Sequence, residues 1–227
     1  KIKTILFIQK YGIGDYLMST PAINAITKKF PKAKTILLCR KPADLVAKLN
    51  PAIDKTIFDL DELKTKIDLV VSLNDSVEGT ILAKKANADY AIGFLNGENV
   101  KANFEIPKTN GKYNLIENYL QIAHTLGAKV GNPEFAMKVK KEQNVEKLVK
   151  KHKLSKFIFL NPNTREGAEA KNWGNTNYAQ LAEKVLAKGY KIVFCGAKGE
   201  EDGKKTIRLI HNSKSKIVDL TGELSLN

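Results

Sequence analysis

Residues 10–21 read KYGIGDYLMSTP, and this stretch decides the fold of the chain. It follows the apolar run Ile5–Ile8, which predicts a buried parallel strand, and it precedes a segment whose apolar residues have helical spacing. Gly12, Gly14 and Asp15 therefore lie where a strand is followed by a helix. In open parallel sheets ligands bind at this edge, so a carboxylate placed there is positioned to contact a substrate.

The same stretch resembles the start of a dinucleotide-binding fingerprint without completing it. Gly12-x-Gly14 matches the first two glycines of GxGxxG, but Leu17 occupies the third position. Asp15 would also compete with a pyrophosphate for the positive end of the helix dipole. Both features disfavour a dinucleotide site, although Arg40, after the second predicted strand, suits a 2′-phosphate. The alternative for Asp15 is a helix cap in a tight turn.

Strand-like and helical segments alternate along the first part of the chain, which predicts an α/β sheet with right-handed crossovers. The predicted strands are Ile5–Ile8, Thr35–Cys39, Leu69–Ser72 and Tyr90–Gly93. The predicted helices are Pro21–Phe30, Pro42–Asn50, Val77–Ala86 and Leu115–Leu126. Residues 93–111 are polar and are predicted to form an irregular loop.

A second unit is predicted to begin near Lys156. Its elements are a buried strand at Phe157–Leu160, a helix at Tyr178–Ala187, and strands at Tyr190–Cys195 and Ile217–Leu220. Three parallel strands would leave an exposed sheet edge, so we expect that the sequence is cut short or that an absent partner covers the edge. The predicted domains are residues 1–142, a linker helix and hinge at 143–155, and residues 156–227.

Composition limits the class of protein. The 227 residues carry a net charge of +14, which attracts polyanions such as nucleic acid, anionic lipid or phosphorylated sugars. The lysines are not interleaved with aromatic residues, which disfavours base stacking. No apolar run is long enough to span a bilayer, and the first residues lack the pattern of a signal peptide.

Cysteine and histidine usage predicts neither a disulfide nor a metal site. Cys39 and Cys195 lie far apart in apolar strand-like runs, which fits a reducing compartment. The three histidines have no ligand spacing, so we expect no bound metal.

Two loops of the second unit carry groups that suit a nucleotide. Residues 161–173 read NPNTREGAEAKNW, in which Thr164 is a donor and Lys171 a point charge for a phosphate. Trp173 is expected to pack this loop against the body of the domain. Residues 196–202 read GAKGEED.

In the second of these loops, Gly196 permits close backbone approach. Glu200 and Glu201 could accept hydrogen bonds from ribose hydroxyls, or they could simply complement a helix dipole.

Taken in order, four motifs resemble glycosyltransferase family 9, the ADP-heptose:lipopolysaccharide heptosyltransferases. The motifs are Gly14-Asp15 followed by Pro21, KNW with YAQLA in residues 171–182, VFCGA at 193–197, and DLTG with LSL in 219–226. The resemblance covers essentially the whole chain and keeps the spacing of the motifs.

The resemblance implies a GT-B architecture, in which two Rossmann-like domains with parallel sheets face each other across a cleft. It implies a bacterial, inverting, metal-independent transferase without a cofactor, whose substrate is an ADP-sugar. The acceptor would be an anionic lipid-linked core oligosaccharide bound by the N-terminal domain. The enzyme would be a cytoplasmic monomer, peripheral on the inner face of the inner membrane, with no nucleic-acid partner.

The resemblance also implies roles for residues. Asp15 would be the catalytic general base, and the acceptor-side loop would contain Lys10, Gly12 and Gly14. The phosphates of the donor would be bound by Lys171 and its ribose by one of Glu200 and Glu201, and the chemistry of the two loops adds Thr164 and Gly196 to the donor site.

The sequence departs from the family at its end. Members continue past the segment that matches residues 219–226 with an Asp-Ser/Thr-Gly…His motif that lines the donor pocket, and this sequence ends at Asn227. We therefore expect a fragment whose second domain is incomplete. The alternatives are an NADP-linked oxidoreductase, based on Gly12-x-Gly14 and Arg40, and a non-catalytic basic module that binds anionic surfaces or nucleic acid.

Overall fold

The computed structural model describes residues 1–94, 104–105, 114–135, 137–139, 143–164, 167, 169–212 and 214–224. The chain divides into two compact units, Lys1–Val139 and Lys140–Asn227. Each unit has a parallel sheet and its own hydrophobic core.

The first unit is a parallel sheet with helices on both faces. Its described strands are β1 (Thr4–Gln9), β2 (Lys34–Cys39), β3 (Lys55–Ile57), β4 (Leu69–Ser72), β5 (Tyr90–Gly93) and β6 (Phe104–Glu105). Its described helices are α1 (Ile13–Lys29), α2 (Ala43–Ala47), α3 (Val77–Lys85) and α4 (Leu115–Thr125), with a 3₁₀ turn at Leu60–Glu62. The strand order is β3-β2-β1-β4-β5-β6, which is the doubly wound order of Rossmann domains.

Strand β1 is apolar on both faces because both faces of the sheet are covered. Ile5 and Phe7 belong to a core shared with α1 and α4, whereas Leu6 and Ile8 belong to a core shared with α3. This explains why the strand is a continuous apolar run rather than an alternating one.

Helix α1 begins at Ile13, so the prediction that it begins at Pro21 is wrong. A proline inside a helix cannot donate its backbone hydrogen bond, and here the unused acceptor would be the Leu17 carbonyl. The Thr20 hydroxyl donates to that carbonyl at 2.8 Å and satisfies it. As a consequence, Asp15 lies in the first turn of α1.

The loop predicted for residues 93–111 lies mostly outside the described residues. Within it, Phe104–Glu105 forms β6 and pairs in parallel with β5. The sequence analysis did not predict β6 or β3, which are strands of two and three residues.

The second unit is a smaller parallel sheet in the order β7-β8-β9. Its described strands are β7 (Phe157–Leu160), β8 (Lys191–Phe194) and β9 (Ile217–Asp219). Its described helices are α5 (Gln143–Lys151), α6 (Asn175–Ala187) and α7 (Asp202–Leu209), with 3₁₀ turns at Glu169–Lys171 and Lys214–Lys216.

Strand β7 is not buried, contrary to the prediction. Phe157, Ile158 and Phe159 are 40%, 37% and 53% exposed, and only Leu160 is buried. Among the described residues β7 pairs with β8 alone and is one of the two edge strands, so its side chains have sheet neighbours on one side only.

Helix α5, which was predicted to be a linker, packs within the second unit. Leu148 and Val149 lie against the core formed by Leu154, Val193 and Val218 together with neighbouring residues. The apolar face of this helix therefore covers one face of the second sheet, and its role as a hinge stays a prediction.

Both cysteines are free thiols and are buried, one in each unit. In the part of the chain that the structure describes, no helix is both long enough and apolar enough to cross a bilayer.

Candidate active site

The strand order of the first sheet reverses between β1 and β4, and ligands bind at such a reversal beyond the carboxyl ends of the strands. The chain leaves β1 into α1 on one face of the sheet and leaves β4 into α3 on the other. Asp15 follows β1 and Asp75 follows β4, so two carboxylates lie at this edge of the sheet. The edge is therefore the candidate site of the first unit.

Asp15 is half-buried in the first turn of α1. Its Oδ2 accepts a hydrogen bond from the Gly12 backbone N–H at 3.2 Å. The interaction predicted for a helix cap is thus present, and it engages one of the two carboxylate oxygens. It holds the carboxylate over the turn that joins β1 to α1, at the end of the sheet.

Two buried amide side chains hold this turn. Asn74 Oδ1 accepts from the Lys10 backbone N–H at 2.8 Å, and Gln9 Oε1 accepts from the Tyr11 backbone N–H at 3.2 Å. Helix α3 approaches Asn74 closely because Gly79 has no side chain, and a Cβ there would lie 2.5 Å from Asn74 Cβ. The turn is therefore fixed by the last residue of its own strand, β1, and by a residue that follows the neighbouring strand, β4.

Two tyrosines flank the turn. The Tyr11 hydroxyl donates to Asp75 Oδ1 at 2.7 Å, and burial together with this bond raises the pKa of Tyr11. Burial is also the largest cause that raises the pKa of Tyr119, and the negative charges of Asp15 and Asp75 raise it further. The charges of Asp15 and Asp75 thus both influence the ionisation of the Tyr119 hydroxyl.

In the second unit, the loops after the three strands meet around Gly196. A Cβ on Gly196 would lie 2.5 Å from Asn163 Nδ2 and 2.6 Å from Glu200 Oε2, so only glycine leaves room for both side chains. Asn163 Nδ2 donates to the Cys195 carbonyl at 3.1 Å, and Gly222 N–H donates to the Gly196 carbonyl at 2.9 Å.

The two candidate carboxylates of this loop differ in their partners. Glu200 Oε2 accepts from the Ala197 backbone N–H at 2.7 Å, and its side chain lies against Gly196. Glu201 instead forms an ion pair with Lys204 at 3.1 Å. Glu200 is thus part of the glycine loop, whereas Glu201 interacts with α7.

The structure describes Thr164 and Lys171 without bringing them together. Thr164 is half-buried near the end of β7, and Lys171 is exposed at the end of the 3₁₀ turn Glu169–Lys171. Neither side chain forms a hydrogen bond or ion pair with another described residue. Arg165, in the same loop, lies outside the described residues. The phosphate-binding roles of Thr164 and Lys171 stay predictions.

Trp173 packs less fully than predicted. Its ring meets Tyr178 edge-on, with 5.2 Å between the ring centroids, yet 54% of the residue is exposed. Its packing partner is thus a residue of the helix that it precedes.

Sequence reasoning missed several residues of these two edges. They are Gln9, Asn74, Asp75 and Tyr119 in the first unit, and Asn163 and Thr221 in the second. Asn163 Oδ1 and Thr221 Oγ1 are buried without a hydrogen-bond partner among the described residues, which marks them as candidate ligand contacts. Asp75 had a detectable signal, because it follows a buried strand and precedes a helix, as Asp15 does.

No group of three or more histidine, cysteine or acidic residues lies close enough to hold a metal ion within the described ranges.

Comparisons with known proteins place the chain among glycosyltransferases. The family model of glycosyltransferase family 9 (heptosyltransferase) matches residues 60–227. A lipooligosaccharide heptosyltransferase 2 from Haemophilus ducreyi is 25% identical over 98% of this chain and 72% of its own length. The matched family range contains Lys171, Gly196 and Glu200, whereas Asp15 precedes it.

Solved structures with the same fold include a family 9 glycosyltransferase from Veillonella parvula, with a TM-score of 0.76 and 19% identity over 98% of this chain and 70% of that one. The E. coli heptosyltransferase WaaC, solved with ADP, has a TM-score of 0.69 and 14% identity over 96% of this chain and 74% of that one. The predicted fold class, α/β with the GT-B architecture of two Rossmann-like domains, is confirmed.

Proposed function

The chain belongs to glycosyltransferase family 9, the heptosyltransferase family, and we propose that it transfers a heptose from an ADP-sugar to a lipopolysaccharide core acceptor. The observation that carries the proposal is the family match over residues 60–227, together with a carboxylate at the strand reversal of the first sheet. The transfer is an inverting reaction in which Asp15 acts as the general base.

The position of Asp15 supports this role. Inversion is a single displacement, in which an acceptor hydroxyl attacks the anomeric carbon while the nucleoside diphosphate leaves. The hydroxyl needs a base within hydrogen-bond reach that takes its proton as the bond forms. Asp15 lies at the end of the sheet, is half-buried, and has one oxygen fixed by the Gly12 N–H.

The donor binds to the loops of the second unit in this proposal. Gly196 lets the Asn163 and Glu200 side chains lie together at the ends of the strands, and Asn163 Oδ1 and Thr221 Oγ1 are polar atoms without a hydrogen-bond partner among the described residues. Glu200, which lies in the glycine loop, accepts from the ribose hydroxyls. The related WaaC was solved with ADP, which supports an ADP-sugar as the donor.

Cations stabilise the leaving group. Negative charge develops on the departing diphosphate in the transition state, and preorganised cations and donors are often the largest contribution to lowering the barrier. Lys171 supplies the charge and Thr164 a hydroxyl donor, without a metal ion in the reaction.

The net charge of +14 is consistent with an acceptor that carries phosphates and lies in an anionic membrane leaflet. We place the enzyme as a monomer on the cytoplasmic face of that membrane. The relative from Haemophilus ducreyi is named for action on lipooligosaccharide, which supports an acceptor of this class.

Thermal unfolding with nucleotides tests the proposal against an NADP-linked oxidoreductase. ADP is expected to raise the unfolding temperature, because a ligand at 100 times its Kd stabilises the folded state by about 2.7 kcal/mol. The Lys171→Met variant should show a smaller shift with ADP. Stabilisation by NADP that equals or exceeds that by ADP would contradict the proposal, and so would the absence of any shift with ADP.

A further inference from the structure

We propose that Gln9 is a positioning residue that sets the place of the catalytic carboxylate by tying the turn after β1 to helix α4 through Tyr119. This inference rests on the proposed role of Asp15 as the base. Gln9 is the last residue of β1, six positions before Asp15 in the chain.

Both ends of the Gln9 amide are engaged. Its Oε1 accepts from the Tyr11 backbone N–H at 3.2 Å, and its Nε2 donates to the Tyr119 hydroxyl at 3.1 Å. The residue is 0% exposed and Tyr119 is 2% exposed, so water does not compete for these bonds. The side chain therefore connects the turn to a helix that is 110 residues away in sequence.

This connection reaches the carboxylate in one further step. The Tyr11 N–H that Gln9 holds is adjacent to Gly12, whose N–H donates to Asp15 Oδ2 at 3.2 Å. Any shift of the Tyr11 peptide therefore moves the donor that orients the Asp15 carboxylate. Burial is the main cause that raises the pKa of Tyr119, and the negative charge of Asp15 adds to it.

A purely structural role explains the geometry less well. An apolar side chain at this position would fill the core without the free-energy cost of burying an amide, which is favourable only when its donors and acceptors are bonded. The four residues before Gln9 on β1 are apolar. On β1 an amide side chain occurs only at the last residue, Gln9, where the strand leads into the candidate site.

Steady-state kinetics of heptose transfer from ADP-heptose test the inference with two variants. Gln9→Met keeps the shape of the side chain and removes both bonds, and Tyr119→Phe removes only the hydroxyl. Misplacing a catalytic group by about 1 Å can cost about 100-fold in rate, so we expect Gln9→Met to lower kcat about 10- to 100-fold. The KM for the donor should stay within about twofold, because the donor binds to the second unit in the proposed function.

The double variant separates this role from general loss of stability. Because Gln9→Met already removes the bond to Tyr119, adding Tyr119→Phe should lower kcat no further. Thr35→Val is the matched control, since Thr35 is also buried in this sheet and its hydroxyl donates to the Ala52 carbonyl at 2.8 Å, near the amino end of β2. This control should lower the unfolding temperature and leave kcat unchanged.

The outcomes distinguish the inference from the function on which it rests. If Asp15→Asn loses activity while Gln9→Met and Tyr119→Phe keep the wild-type kcat, the positioning role is wrong and the base remains. If Asp15→Asn keeps its activity, both are wrong. Should Gln9→Met fail to fold, Tyr119→Phe decides alone, and an unchanged kcat in that variant overturns the inference.

Discussion

Gly196 shows how much of the second site depends on one missing side chain. Gly196, in the loop after β8, lies between the side chains of Asn163 and Glu200, and Asn163 Nδ2 and Glu200 Oε2 both lie within 2.6 Å of the place that a Cβ would occupy. Real Cβ atoms do not approach other atoms this closely, so any other residue must displace the ends of both side chains.

We therefore expect Gly196→Ala to weaken ADP binding about tenfold or more, since it displaces groups proposed to contact the donor. Calorimetric titration with ADP measures the effect. Gly131→Ala is the matched control, because a Cβ at Gly131 meets no atom within 4 Å. Equal ADP affinity in wild type and Gly196→Ala would mean that this loop does not bind the nucleotide.

The sequence was enough to predict Asp15 as a site residue but not Gln9, and the reason is physical. A carboxylate after a buried strand and two glycines is a local pattern, and local patterns can be read from the sequence. The role of Gln9 depends on Tyr119, which lies 110 residues away, and nothing in the sequence near Gln9 indicates that contact.

At the scale of the element, helix α4 brings Tyr119 to the first site and is fixed at its start by a capping box. Asn114 Oδ1 accepts from the Glu117 N–H at 3.0 Å, and Glu117 Oε2 accepts from the Asn114 N–H at 3.1 Å. These two bonds satisfy backbone donors that would otherwise lack a partner at the helix start.

Asn114→Ala should therefore lower the free energy of unfolding by about 1 kcal/mol, the usual cost of removing an N-cap. Urea unfolding followed by circular dichroism measures it. Asn114→Ser keeps a capping oxygen, so it should lower the free energy of unfolding by only a small part of that amount. A loss of equal size in both variants would show that the cap does not stabilise α4.

The elements that sequence predicted well are the buried strands of the first sheet, because apolar runs covered on both faces give a strong signal. Helix α1 was predicted over Pro21–Phe30 because the apolar residues of this segment have helical spacing. The helix in fact begins before Pro21. Proline has no N–H to donate to the Leu17 carbonyl, and the Thr20 hydroxyl donates to that carbonyl instead. Strand β7 was predicted to be buried because its residues are apolar. The prediction was wrong because an apolar run does not show how many neighbours a strand has in the sheet.

At the scale of the whole molecule, the excess of 38 Lys and Arg over 24 Asp and Glu gives a charge of +14. Such a charge attracts an anionic membrane, with about 1 kcal/mol for each basic residue that comes near its surface. Salt screens this attraction, because the Debye length falls to about 3 Å at 1 M ionic strength.

The protein should therefore bind vesicles that contain acidic phospholipid, and this binding should weaken about tenfold or more as salt rises from low to molar concentration. Co-sedimentation measures the bound fraction, with vesicles of neutral phosphatidylcholine as the control. Binding that does not change with ionic strength would argue against a charge-driven membrane contact.

The central claim is that Asp15 takes the proton of the acceptor hydroxyl during heptosyl transfer. The most direct measurement is the rate of heptose transfer from ADP-heptose by the wild type and by Asp15→Asn, with Asp89→Asn at the amino end of β5 as a control for the loss of a carboxylate. A general base contributes about 10²- to 10⁴-fold, so Asp15→Asn should lose that much of kcat while Asp89→Asn keeps the wild-type rate. A rate for Asp15→Asn within about threefold of the wild type would contradict the account.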